Sequence, residues 1–145
     1  MAVRERIAGG IYGALVGDAL GVPVEFSERT ARDADPVAEM RAWGTWRQPA
    51  GTWSDDGALT LCTAEGLAEG HSPENLGRLF VRWMKSQHWA ARGAVFDIGG
   101  ATLTALERID AGVAIESAGM TGEDHNGNGS LMRILPVALR FGLAL

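Results

Sequence analysis

Arg4-Glu5-Arg6-Ile7-Ala8-Gly9-Gly10-Ile11-Tyr12-Gly13-Ala14-Leu15-Val16-Gly17-Asp18-Ala19-Leu20-Gly21 is the stretch that decides the fold class. Ile7, Ile11, Leu15 and Leu20 recur at mostly helical spacing, and Gly9, Gly13, Gly17 and Gly21 fall every fourth residue along one stripe. Each glycine costs a helix interior roughly 1 kcal/mol relative to alanine. Four on one stripe are expected to recover that cost through close packing, which places this helix at the centre of a bundle. Gly21-Val22-Pro23 ends it, and Glu25 follows in a loop.

The rest of the chain reads the same way. Ser27 to Gly51 holds mixed charges, Pro36 and Pro49 but no sustained periodicity, so it is expected to be a long connection with a short helical turn around Pro36 to Met40. Loops of that length in small domains usually carry function. A second helix is expected from Asp55 to Glu69, stopped by Gly70, and a third from the Ser72-Pro73 start through Lys85. Phe80, Trp83 and Met84 recur at spacings of three and four, which suits a core stripe better than a cofactor-stacking face. A fourth helix is expected over Asp97 to Ile109, a short fifth over Val113 to Ala118, and a last one from near Ser130, bent or broken before Pro136. There is no β-run, internal repeat or low-complexity tract. The expected fold is all-α, a compact orthogonal helical bundle forming one domain over residues 1–145.

Composition narrows the function. The 145 residues are 46% hydrophobic and 21% charged, within the range of globular domains. A net charge of −5 with 13 basic residues leaves no basic stripe to neutralise a nucleic acid duplex. The charged N-terminus makes a poor signal peptide. No run of about 18 uncharged apolar residues occurs, so no spanning helix and no membrane partner are expected. A single cysteine, Cys62, reads as a buried inert thiol, and the expected compartment is the cytoplasm. The tail from Ile134 to Leu145 is strongly apolar and lacks a cap, so it reads as an interrupted chain.

Ser54-Asp55-Asp56 is the richest motif in the chain. Two adjacent carboxylates and a hydroxyl are hard oxygen donors of the kind that hold a divalent cation, and without a positive partner the two acids raise each other's pKa. The plainer reading is a serine N-cap with two acids complementing a helix dipole. Around it stand Gly17-Asp18-Ala19-Leu20-Gly21-Val22-Pro23-Val24-Glu25-Phe26, then Phe96-Asp97-Ile98-Gly99-Gly100, then Asn126-Gly127-Asn128-Gly129-Ser130-Leu131-Met132-Arg133-Ile134-Leu135-Pro136. In this order the four segments resemble the ADP-ribosylglycohydrolase family, over most of the chain from about Ile7 to its end.

The resemblance implies metal-dependent hydrolysis that removes ADP-ribose from modified protein side chains or related ADP-ribosyl compounds. It implies two Mg²⁺ ions, with Mn²⁺ as an alternative, and casts Ser54, Asp55 and Asp56 as the first half of the metal site. The second half belongs to an Asp-x-Asp-Thr motif that this chain lacks. Gly57 stands where a hydroxyl residue is frequent, which would loosen that end of the site. Glu25, Asp55 and Asp56 are the expected catalytic residues, with Glu25 activating water or approaching the metal. Asp18 reads as a buried hydrogen-bonding acid shaping the Glu25 loop. Asp97 is either a helix N-cap or, by resemblance, a substrate-facing acid. Asn126, Gly127, Asn128, Gly129 and Ser130 have the make-up of a phosphate cradle at a helix start, with His125 beside them. Arg133 would balance pyrophosphate charge or brace a carboxylate, and bracing is the reading favoured here. Trp43, Trp46 and Trp53 suit either adenine stacking or lid packing. Two rivals stand beside the hydrolase: a catalytically silent ADP-ribose-binding module, or fragment needing a partner chain, and a helical protein that self-associates through its apolar C-terminal helix.

Overall fold

A computed structural model describes residues 2–142, and within them the chain is helical with no β-strand. Seven α-helices follow one another: α1 Val3–Gly21, α2 Arg29–Ala34, α3 Asp55–Ala68, α4 Pro73–Ser86, α5 Gly100–Asp110, α6 Ile115–Ala118 and α7 Leu135–Gly142. Single 3₁₀ turns stand at Val22–Val24 and Ala91–Gly93. The all-α expectation holds. The Ser72 hydroxyl accepts from the Asn75 N–H at 3.3 Å and Pro73 opens α4, as its sequence signature indicates.

The centre of the bundle is α3, not the glycine helix. α3 packs against α1, α4 and α7, while α5 reaches the core through α4. Ala58, Leu59 and Cys62 on α3 meet Leu79, Phe80 and Trp83 on α4 and Leu106 on α5 in one buried cluster. The Phe80–Trp83 stripe is therefore core. Burial pushes the Cys62 thiol up to about 12, so it stays protonated and inert.

On α1 only Ala19 is buried, and a methyl added at Gly9, Gly13, Gly17 or Gly21 would meet nothing within 4 Å among the described residues. The expected close packing of that stripe is thus absent here. It occurs one residue over, where Gly10 lies against Leu139 of α7, and on α3 at Gly57. Gly13→Ala should accordingly raise the stability of this chain by about 0.5 to 1 kcal/mol, because helix propensity is gained without a clash. A fall in urea midpoint for that variant would show that the stripe is packed after all.

By length and mean hydropathy, 22 residues at 1.5, Val3–Val24 is long and apolar enough to cross a bilayer, contrary to the expectation from uncharged runs. Asp18 interrupts it, however, and its carboxylate is tied to the start of α3 by three hydrogen bonds, which anchors α1 to the domain.

Other boundaries shift for local reasons. The helical turn in the long connection is at Arg29–Ala34 rather than near Met40, and none of its residues is buried, so no apolar period marked it. Beyond it, the Arg41 guanidinium grips Asp35 at 2.5 and 2.7 Å and fixes the loop's return. α5 begins at Gly100, with Gly99 as its cap, so Asp97 precedes the helix instead of capping it. Residues 129–133 form turns, and α7 starts at Leu135 with Pro136 in its first turn, where a missing N–H costs nothing. α7 rests on α3 and α1 through its inner face, with Phe141 half exposed beside the His71 ring. Leu143 to Leu145, the end of the tail on which self-association was expected, lie outside the described residues.

Candidate active site

The site begins where α1 meets α3. The Ser54 hydroxyl caps α3, accepting from the Asp56 N–H at 3.4 Å, and donates to Asp18 Oδ1 at 2.9 Å. Asp18 Oδ2 accepts the N–H groups of Ser54 at 2.9 Å and Gly57 at 2.8 Å. Asp18 therefore holds the first turn of α3 rather than the Glu25 loop. Burial raises its pKa, while the three donated hydrogen bonds work against that rise. Ser54 is an N-cap, as the plainer reading had it, and the hydroxyl keeps one lone pair for any further donor or ion.

Gly57 tightens this junction instead of loosening it. A Cβ there would sit 2.8 Å from Asp18 Oδ2, 2.8 Å from Trp53 and 2.9 Å from Leu15. Only glycine lets the α3 backbone come this close to α1.

Asp55 is 4% exposed, and its carboxyl is pushed up to about 7 by burial, then by Asp56 and Asp18. Asp56, half-buried, is raised by its own burial and by Glu25. The helix dipole favours an anion at this end by only about 0.3 to 1 kcal/mol, so burial and like charge win over it. Asp97 sits in the loop before α5 with a left-handed backbone at φ 61°, a conformation that non-glycine residues adopt at a cost and that concentrates at functional sites. Burial first, then the neighbouring Glu25 carboxyl, push the Asp97 carboxyl up to about 7. A Glu25 carboxylate oxygen accepts from Trp46 Nε1 at 2.5 Å, and its backbone carbonyl accepts from the Thr45 hydroxyl at 2.7 Å.

Glu25, Asp55, Asp56 and Asp97 line a cleft of about 610 Å³, whose other walls come from α5 and from His125, Gly127, Asn128, Gly129 and Ser130. An adjoining cleft of about 310 Å³ shares Glu25, Asp56 and Asp97 and is closed by Asp18 and Ser54. Ten of the eleven residues expected at the site thus meet in these two clefts. Asn126 does not line them: its side-chain amide turns to the Glu123 carbonyl. The cradle is also not a helix start, since the Asn128 carbonyl accepts from Leu131 and Met132 N–H in a turn, so the helix-dipole part of the expected phosphate cradle is missing.

None of the three tryptophans lines the cleft. Trp46 serves Glu25 and packs between Phe26 and Phe96, Trp53 donates to the Trp89 carbonyl at 3.0 Å, and Trp43 is exposed. Phe26 and Met120 stand at the cleft instead, and Thr102 and Arg133 complete it. Phe26 and Thr102 had no signal of their own in the sequence, because neither breaks the pattern of its segment.

The donors suit a hard cation, being oxygen only and lacking a basic hydrogen-bond partner. Among the described residues no three of them already converge on a single ion position. An ion here would draw on water or ligand oxygen for the remainder, as Mg²⁺ commonly does.

Known proteins match the chain over nearly its whole length. Residues 1–144 match the ADP-ribosylglycohydrolase family. The chain is 34% identical over 140 residues to the ADP-ribosylarginine hydrolase Tri1 of Pseudomonas putida (strain GB-1), covering 93% of this chain and 36% of that protein. It is 29% identical over 142 residues to the ADP-ribosyl-dinitrogen reductase glycohydrolase of Rhodospirillum rubrum, covering 94% of this chain and 45% of that protein. A solved structure titled ADP-ribosylglycohydrolase-related protein complex superposes with a TM-score of 0.74 at 35% identity, covering 94% of this chain and 42% of that one. The chain therefore spans less than half the length of these relatives. On its sequence match and its fold together, the chain belongs to the ADP-ribosylglycohydrolase family.

Proposed function

We propose that this chain supplies the acidic half-site and the ligand cleft of a divalent-metal-dependent hydrolase, one that removes ADP-ribose from modified protein side chains, arginine among them, or from related ADP-ribosyl compounds. The observation that carries the reading is the gathering of Glu25, Asp55, Asp56 and Asp97 on the walls of one cleft, with Asp55 and Asp97 both raised in pKa. Such clusters mark sites where a cation or a proton is handled. Ser54, Asp55 and Asp56 would hold the ion, Mg²⁺ or Mn²⁺, two of them once further ligands are present. A bound ion polarises a ligand hydroxyl or lowers the pKa of a water.

The chain's own residues have separate tasks in this reading. Asp18 keeps the first turn of α3 in place through its three hydrogen bonds. Glu25, oriented by Trp46, accepts the proton of the attacking water as the glycosidic bond opens through an oxocarbenium-like state. The 127–130 loop holds the rest of the ligand. A cytoplasmic setting, where Cys62 stays a thiol, goes with this assignment.

Calorimetry with ADP-ribose tests it. Binding in Mg²⁺ should be at least tenfold tighter than in chelator, and an ADP-ribosylated arginine peptide should lose its ADP-ribose when the missing ligands are supplied. A binding module without turnover is the second reading, favoured by the lack of three converged ligands. Equal affinity with and without the ion, and no product, would select it.

A further inference from the structure

The acids of the larger cleft come from separate segments, and Arg133, expected to brace a carboxylate there, makes no ion pair with any of them among the described residues. A different arginine braces the backbone that carries them. Arg92 Nε donates to the Thr52 hydroxyl at 3.1 Å, and Arg92 Nη2 donates to the Ala50 carbonyl at 3.3 Å. Thr52 is only 1% exposed and its hydroxyl donates in turn to the Pro49 carbonyl at 2.7 Å, so the receiving end of this clamp is fixed. Trp53 Nε1 donates in the other direction, to the Trp89 carbonyl. Three hydrogen bonds thus join residues 89–92 to residues 50–53.

Both joined segments run directly into the acid cluster. Asp55 follows Thr52 by three positions, and Asp97 follows Arg92 by five. Trp89 and Arg92 have φ of 60° and 55°, left-handed like Asp97 at 61°. Such backbone costs a non-glycine residue free energy and persists only where its surroundings impose it, so the bonds from outside the segment set its course. After Gly93 the described ties are few: the Ala94 N–H donates to the Ala91 carbonyl, and the Phe96 ring packs 5.8 Å from that of Trp46. Trp46 relates the Asp97 segment to Glu25, not to α3. The tie between Asp97 and the start of α3 is the Arg92 clamp.

Resting on the cation-site reading above, we propose that Arg92 is a positioning residue: through Thr52 and Ala50 it holds the loop bearing Asp97 at a set separation from Asp55 and Asp56, so that the three carboxyls serve one divalent ion and its waters. Groups that orient metal ligands without touching the ion are worth about 10- to 100-fold in affinity, and the low end fits a clamp made by an exposed arginine.

The test uses the whole 145-residue chain, with Mn²⁺ as the calorimetric probe and amide relaxation measured in chelator. Arg92→Met should weaken Mn²⁺ by about 10-fold, and Arg92→Lys should recover part of the loss because one donor remains. Asp97→Asn should weaken it at least as much. Adding Arg92→Met to Asp97→Asn should then cost nothing further, although five positions separate the two residues. A general loss of stability would not give this pattern, since a chain that is still almost wholly folded binds with its native constant. Without ion, the order parameter of the Asp97 amide should fall from about 0.85 toward 0.6 in Arg92→Met, with α4 unchanged. Wild-type Mn²⁺ affinity in Arg92→Met would overturn the assignment and leave the cation reading standing. Additive losses in the double variant, or an unchanged Asp97 order parameter, would do the same. If the wild-type chain binds no Mn²⁺, the cation reading fails and this assignment with it.

Discussion

Asp55→Asn with Asp56→Asn should raise the melting temperature of the metal-free chain at pH 8 by about 5 °C or more while lowering its affinity for Mg²⁺ and Mn²⁺ at least about 100-fold. The two effects have one cause. Asp55 sits at about 7 in the fold against an ordinary 3.8, because it is buried and flanked by Asp56 and Asp18. A carboxyl raised in the folded state favours folding when protonated. Its contribution is therefore complete below about pH 4 and is lost as pH rises through 7, on the order of 4 kcal/mol for a shift of this size. The wild-type chain should accordingly be more stable near pH 5 than near pH 8 in chelator, and a divalent ion should flatten that slope by taking the place of the proton. Urea titrations at the two pH values, with and without Mg²⁺, measure this. A double variant that keeps the wild-type slope, or that still binds the ions, would remove the reason for reading these acids as a cation site.

Gly57→Val should have the largest effect of any single change near the site. Its Cβ has three neighbours at 2.8 to 2.9 Å, one of them the Asp18 carboxylate that fastens α3 to α1. Overpacking of this kind costs about 1 to 3 kcal/mol and more where backbone must move. A fall in melting temperature of about 5 to 10 °C is expected, accompanied by loss of the ion dependence of ADP-ribose binding, because Ser54, Asp55 and Asp56 move with the turn. Gly57→Ala should show most of the loss, since the first carbon already collides. The contrast with Gly13→Ala, expected to stabilise, separates a glycine that the packing requires from one that it does not. A Gly57→Val chain with wild-type melting temperature would mean that α1 and α3 are not in contact as described.

Much of the site was legible before the fold was known, because its chemistry is local. Ser54, Asp55 and Asp56 are adjacent, and a cap followed by two acids can be read from three letters. The burial of the Phe80–Trp83 stripe was equally plain, since a helix displays its period in the sequence. Asp97 was harder: at the expected start of a helix it suited either a cap or a substrate-facing acid, but its left-handed backbone ends the loop two residues before Gly99, which is the cap. The α2 turn was invisible because nothing on it is buried.

By itself, the sequence determined the helical class, the core stripe of α4, the inert thiol and the two adjacent acids behind a serine cap at the start of α3, all of which follow from side-chain type at short spacing. Only the tertiary structure decided that α3 and not α1 lies at the centre, that Asp18 fastens α3, that Trp46 serves Glu25, and that Arg133 faces the cleft unpaired. Those depend on which face of each helix meets another, and the distances between residues far apart in the chain are set by packing that no local pattern records.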